Sequence, residues 1–154
     1  MKPLHVRESI PFQRRIQCFA VALFIGWSMM SGGPAFATQA GFALSVSPAS
    51  ATIQAGSSKR LTLTVTSEQG FAGTVHVGVT SVSPSESKGP TFGLSRYDIW
   101  VSRTMPTSTA WLTAFTTTGT PAGTYTVTVT GKSVTGGSQY GLTNSTTFTL
   151  TVTP

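Results

Sequence analysis

Thr120-Pro121-Ala122-Gly123-Thr124-Tyr125-Thr126-Val127-Thr128-Val129-Thr130-Gly131 is the stretch on which the fold is read. A Pro/Gly turn leads into Tyr125, Val127 and Val129, which alternate with threonines. Successive side chains of a β-strand point to opposite faces, so one face here is apolar and the other carries hydroxyls. A sheet that packs on a partner with one side and meets water with the other needs that pattern. Threonine suits the wet side because it is β-branched yet polar.

The same period extends in both directions. Upstream it appears at Phe42, Leu44 and Val46, at Leu61, Leu63 and Val65, and at Val75, Val77 and Val79. Shorter pieces follow at Phe92 and Leu94, at Ile99 and Val101, and at Leu112 and Ala114. Phe148, Leu150 and Val152 close the chain. Turn residues separate the pieces at Ala55-Gly56, Gln69-Gly70, Met105-Pro106 and Gly136-Gly137. Pro48 interrupts the first strand, which predicts an edge strand that passes from one sheet to the other. No helical period occurs after Ala37. The pattern predicts an all-β fold, an antiparallel β-sandwich of seven to nine strands over residues 38–154.

Residues 1–37 read differently. Lys2, Arg7, Arg14 and Arg15 precede the apolar run Phe19–Met30, and Ala35-Phe36-Ala37 ends the segment. A basic start, a short apolar core and an A-x-A ending make a signal peptide, expected to be helical, with cleavage after Ala37. The apolar run is shorter than the ~20 residues that span a bilayer. The expected route is Sec-type, and the expected destination is the medium or the cell envelope. No membrane association is expected once the leader is removed.

Charge then loses its first meaning. The formal charge of the whole chain is +6, but Lys2, Arg7, Arg14, Arg15 and Glu8 all belong to the leader, and +3 remains without it. The high isoelectric point therefore does not point to nucleic acid. The single cysteine, Cys18, also lies in the leader, so no disulfide can staple the exported part.

The repeated motifs carry a resemblance. Thr120 to Gly131, Phe42-Ala43-Leu44-Ser45-Val46-Ser47-Pro48, Gly70-Phe71-Ala72-Gly73-Thr74-Val75 and Phe148-Thr149-Leu150-Thr151-Val152 are similar to the Thr/Ser-rich immunoglobulin-like modules, fibronectin-III-like among them, of secreted bacterial and archaeal proteins. The resemblance covers nearly all of residues 42–154. It implies an immunoglobulin-like sandwich and an extracellular setting. It also implies structural roles for Pro121, Gly123 and Tyr125, the last as a tyrosine corner whose hydroxyl holds nearby backbone.

Catalytic chemistry is not expected. Glu68, Glu86 and Asp98 are the only acids after Ala37, and Glu68 and Glu86 fall in predicted loops. His76, the only histidine there, alternates outward between Val75 and Val77. No nucleophile elbow, zinc-protease motif or phosphate-cradling glycine loop occurs. Neither a cofactor nor a metal site is expected.

The aromatic residues stand out. If Ile99, Val101, Leu112 and Ala114 face inward, then Trp100, Trp111 and Phe115 face outward, with Tyr97 close by. The two strands are consecutive, and pairing between them would gather Trp100 with Trp111 or Phe115 on one outer face. Such a patch suits sugar rings or a protein partner. The alternative is that the rings cover one another and only stabilise the sheet. The expected function is a non-catalytic exported module for adhesion or cell-surface interaction, its partner a protein or polysaccharide. A carbohydrate-binding module using Trp100 and Trp111 and a structural envelope subunit are the alternatives. The sequence leaves the oligomeric state open.

Overall fold

Nine strands follow the alternation in the computed structural model, which describes residues 39–154. The leader, its signal-peptide helix and the cleavage residues Ala35 and Ala37 lie outside the described residues. The strands are β1 (Gly41–Ser47), β2 (Ser50–Gln54), β3 (Ser58–Glu68), β4 (Gly73–Ser83), β5 (Thr91–Leu94), β6 (Asp98–Val101), β7 (Thr107–Phe115), β8 (Gly123–Ser133) and β9 (Thr143–Thr153). A single 3₁₀ turn, Gly137–Gln139, lies between β8 and β9. Glu68, expected in a loop, is the last residue of β3, because the turn begins one residue later at Gln69 with φ 51°.

The strands form two sheets. The four-stranded sheet has the order β1-β3-β7-β5, and the five-stranded sheet has the order β2-β9-β8-β4-β6. All neighbours are antiparallel except β2 and β9, which run parallel. Pro48 lies between β1 and β2, and the break carries the chain from the edge of the four-stranded sheet to the edge of the five-stranded one. Proline has no N–H to give a ladder, so a sheet-switching corner is where it fits.

The core lies between the sheets. Leu63, Val65, Val75, Val77, Ile99, Val101, Leu112, Val127, Val129 and Leu150 are fully buried. Each such side chain contributes about 1.5–3 kcal/mol of gross burial. Phe92 of β5 meets Phe148 of β9 edge to face across the two layers, with centroids 5.9 Å apart. Gly131 of β8 is small for a packing reason: a Cβ there would lie 2.9 Å from Val75 and 3.0 Å from Phe42. At the start of the five-stranded sheet's longest hairpin, the Tyr125 hydroxyl donates to the Pro121 carbonyl at 2.8 Å, and Gly123 opens β8 opposite Val152. Asn144 of β9 donates from Nδ2 to the Phe42 carbonyl of β1 at 2.7 Å, which ties the two sheets at one open side.

The middle of the chain decides where the aromatic residues go. β4 belongs to the five-stranded sheet, β5 to the four-stranded, β6 to the five-stranded and β7 to the four-stranded. The chain therefore crosses between layers three times in succession.

Candidate functional site

Those crossings correct one expectation. β6 and β7 are consecutive but do not pair; β6 pairs with β4 and β7 with β3 and β5. Trp100 and Trp111 consequently lie on different sheets, and their outward faces point away from each other. The single aromatic patch becomes two. The physical reason is that inward Ile99 and Val101 can be buried in either layer, and the short connection Ser102–Pro106 forms an arch between layers. The Ser102 N–H donates to the Met105 carbonyl at 3.0 Å within that arch.

On the five-stranded sheet, Trp100 stands opposite Thr74 of β4 and is 51% exposed. Next to it, His76 of β4 faces Asp98 of β6, with Nδ1 2.8 Å from Oδ1. The imidazole also stacks on Tyr97, with centroids 6.1 Å apart and planes at 20°. Among the described residues the His76–Asp98 contact is the one side-chain hydrogen bond of this small cluster, and it pairs the two groups in it that can carry charge. A histidine oriented by a carboxylate is two thirds of a hydrolytic triad, yet no hydroxyl hydrogen-bonds its Nε2 among the described residues. Among the described residues no group of three or more His, Cys, Asp or Glu could hold a metal ion.

The four-stranded sheet carries the other patch. Trp111 and Phe115 of β7 are 50% and 47% exposed, and Thr113 lies between them on the same face. With a rise of about 3.3 Å per residue, the two rings stand roughly 13 Å apart along the strand. On one side β3 places Arg60 directly across from Thr113, diagonal to Trp111. Diagonal neighbours are within reach of long side chains, and the guanidinium lies 5.4 Å from the Trp111 ring centroid. On the other side β5 places Gly93 across from Thr113.

These residues bound a depression. Arg60, Trp111, Thr113, Phe115, Gly93 and Ser95 line it, and its volume is about 220 Å³. Ser95 fixes the Trp111 end, since the Trp111 N–H donates to Ser95 Oγ at 2.9 Å and the Ser95 N–H to the Trp111 carbonyl at 2.9 Å. Gly93 keeps the depression open, because a Cβ there would lie 3.3 Å from Phe115 Cε2. Arg60 makes no hydrogen bond or ion pair among the described residues, and no acidic residue lines the depression.

Of the residues singled out in the sequence, Trp111 and Phe115 share this site, whereas Trp100 and Tyr97 belong to the opposite face. Thr113 faces outward with Trp111 and Phe115 as the alternation predicts, whereas Arg60 and Gly93 were not foreseen. Arg60 alternates outward ahead of Leu61, which marks its face; only the register of β3 against β7 reveals its neighbour.

The arrangement can hold a ligand by stacking, a cation and hydroxyls. It contains no general base and no activated nucleophile. No helix among the described residues is long and apolar enough to cross a membrane.

No family model matches the chain, and no curated protein matches it. Solved structures do. Domains 4 and 5 of the S-layer protein SbsC share 19% identity at a TM-score of 0.50, over 75% of this chain and 54% of that one. The chain thus spans about half the length of that structure. A family 123 glycoside hydrolase from Clostridium perfringens shares 8% identity at a TM-score of 0.49, over 72% of this chain and 26% of that one. The BIgI domain of the beta protein from S. agalactiae, solved bound to CEACAM1, shares 21% identity at a TM-score of 0.41, over 73% of this chain and 96% of that one. Identities this low speak to fold alone. With two face-to-face sheets, a first strand divided between them and a tyrosine tied back to its own corner, the chain is an immunoglobulin-like β-sandwich module.

Proposed function

We propose that the chain is an exported, non-catalytic interaction module that meets a cell-surface or extracellular partner through the outer face of its four-stranded sheet. The observation that carries this reading is the depression between Trp111 and Phe115, flanked by an Arg60 that has no acidic partner among the described residues. Half-exposed tryptophan beside arginine is the composition of binding hot spots. The leader pattern of residues 1–37 supports export, and the fold is one that an S-layer protein also uses.

Assembly through edge strands finds less support. Three of the four edge strands are short: β2 has five residues, and β5 and β6 have four each. Short edges are how sheets avoid pairing with other chains.

The test replaces Trp111 and Phe115 together by threonine and measures binding to envelope fractions and to a glycan array. Loss of binding is expected, with a melting temperature lowered by only a few degrees because both rings are about half exposed. Trp100→Thr serves as the control and should bind as the parent does. Equal binding by the double variant and the parent would remove the contact face from this reading.

A further inference from the structure

We propose that the depression on the four-stranded sheet takes one carboxylated sugar unit of an anionic polysaccharide, with Arg60 holding the carboxylate and Trp111 and Phe115 bracketing the ring. The proposal rests on the contact-face reading above and names its ligand.

Size is the first argument. The depression measures about 220 Å³, below the ~300–1,000 Å³ of pockets that take drug-sized molecules. One six-membered ring with its substituents is the scale that fits. A protein partner would need about 800 Å² on each side, and beyond the two rings and half-buried Leu94 the residues around the depression are threonine, serine, glycine and Arg60. Thr62, Thr64 and Thr66 of β3 and Thr107 and Thr109 of β7 continue the outer face as a field of hydroxyls. Serine and threonine are under-represented at protein hot spots, while hydroxyls suit a polyhydroxylated chain.

Charge is the second argument. A guanidinium presents five donors in a planar fork that matches a carboxylate with two parallel bonds. Arg60 is held over Trp111 by a cation–π contact that leaves its N–H groups without protein acceptors among the described residues. The nearest acid on its own strand, Glu68, is eight residues away, roughly 26 Å along β3. The field at the depression is therefore positive, and an anion is the complement.

Access is the third. Thr113 sits at the centre with Arg60 on one side and Gly93 on the other, so the floor offers a hydroxyl and the β5 side lacks a wall. Aromatic faces contact the C–H side of a sugar ring, while the ring's hydroxyls meet Thr113 and Ser95.

The experiment measures binding of the protein expressed from the full sequence to polygalacturonate, to carboxyl-reduced polygalacturonate, to dextran and to poly-glutamate. Polygalacturonate is expected to bind, with the carboxyl-reduced form and dextran at least about tenfold weaker, since charged hydrogen bonds are at stake. Arg60→Gln should weaken polygalacturonate binding about tenfold or more, and Arg60→Lys by less, because the charge stays and the fork goes. Gly93→Val should abolish binding by filling the depression while the strand still folds, because half-exposed Phe115 can give way to the added side chain and valine favours strands. Equal binding of the neutral polymers, or an Arg60→Gln protein that binds as the parent does, overturns the proposal. Poly-glutamate bound as tightly through the same residues also overturns it and makes the partner an acidic protein. If none of these polymers binds but the Trp111/Phe115 variant still loses an envelope or array ligand, this proposal fails and the contact face stands. If the double variant loses nothing, both fail.

Discussion

The two outer faces of this sandwich carry the same kinds of residue and use them in opposite ways. On the five-stranded sheet, His76 pairs with Asp98 and stacks on Tyr97 beside Trp100. On the four-stranded sheet, Arg60 leans on Trp111 and has no acceptor among the described residues, and a glycine holds space open in front of it. Both tryptophans are half exposed, so exposure alone does not separate the faces. What separates them is whether the chargeable neighbours are already paired with each other. An exposed ring beside charged groups that pair with each other is a surface feature; an exposed ring beside an unpaired guanidinium and an open floor is a site.

Changes that test this contrast span a range of effect. The largest concerns the shared interior. Leu112 lies on β7 between Trp111 and Thr113 but points into the core and is fully buried. Leu112→Ala should cost about 2–5 kcal/mol in denaturant unfolding, whereas Trp111→Thr, one residue away, should cost less than about 1 kcal/mol. Comparable costs would mean that Trp111 is core and that its face is no site. Next comes Tyr125→Phe, which removes one buried hydrogen bond and should lower stability by about 1 kcal/mol. It should leave binding at both faces unchanged, because the corner lies in the frame and not in either patch.

The contrast between patches should appear in two smaller numbers. A double-mutant cycle of Arg60→Gln and Trp111→Thr should give a coupling of about 0.5–1 kcal/mol, the scale of an exposed cation–π pair. The cycle of His76→Ala and Asp98→Asn should give a coupling of about 0.2–1 kcal/mol, since both side chains are more than half exposed. At 1 M salt, where screening acts over about 3 Å, the charge-dependent part of that coupling should fall. A His76–Asp98 coupling well above this range would show a cluster built for more than surface cohesion.

Strand positions and the inward set were legible because period two is written into the side chains themselves. Val127 and Val129 can be read as buried without knowing what they touch. The Pro48 break was legible too, since a missing N–H is a property of the residue. The sheet assignment of β6 and β7 was not. A hairpin and an arch both bury Ile99, Val101, Leu112 and Ala114, so alternation is silent on which one forms. The choice rests on long-range packing, in which β6 extends the β4 edge while β5 takes the β7 edge. Arg60 stayed hidden for the same reason. Its partner is set by a register between strands about fifty residues apart, and a guanidinium reaches diagonally past its direct opposite, Thr113.

The parallel pairing of β2 with β9 has a mechanical consequence. Ser50, where β2 begins, lies beside Thr149, and Gln54, where it ends, lies beside Thr153. Tension drawn through the start of β2 and the end of β9 therefore pulls the two strands past each other lengthwise. Their cross-links are loaded together in shear and cannot be peeled apart singly. Force applied across those two points meets the whole β2–β9 ladder at once.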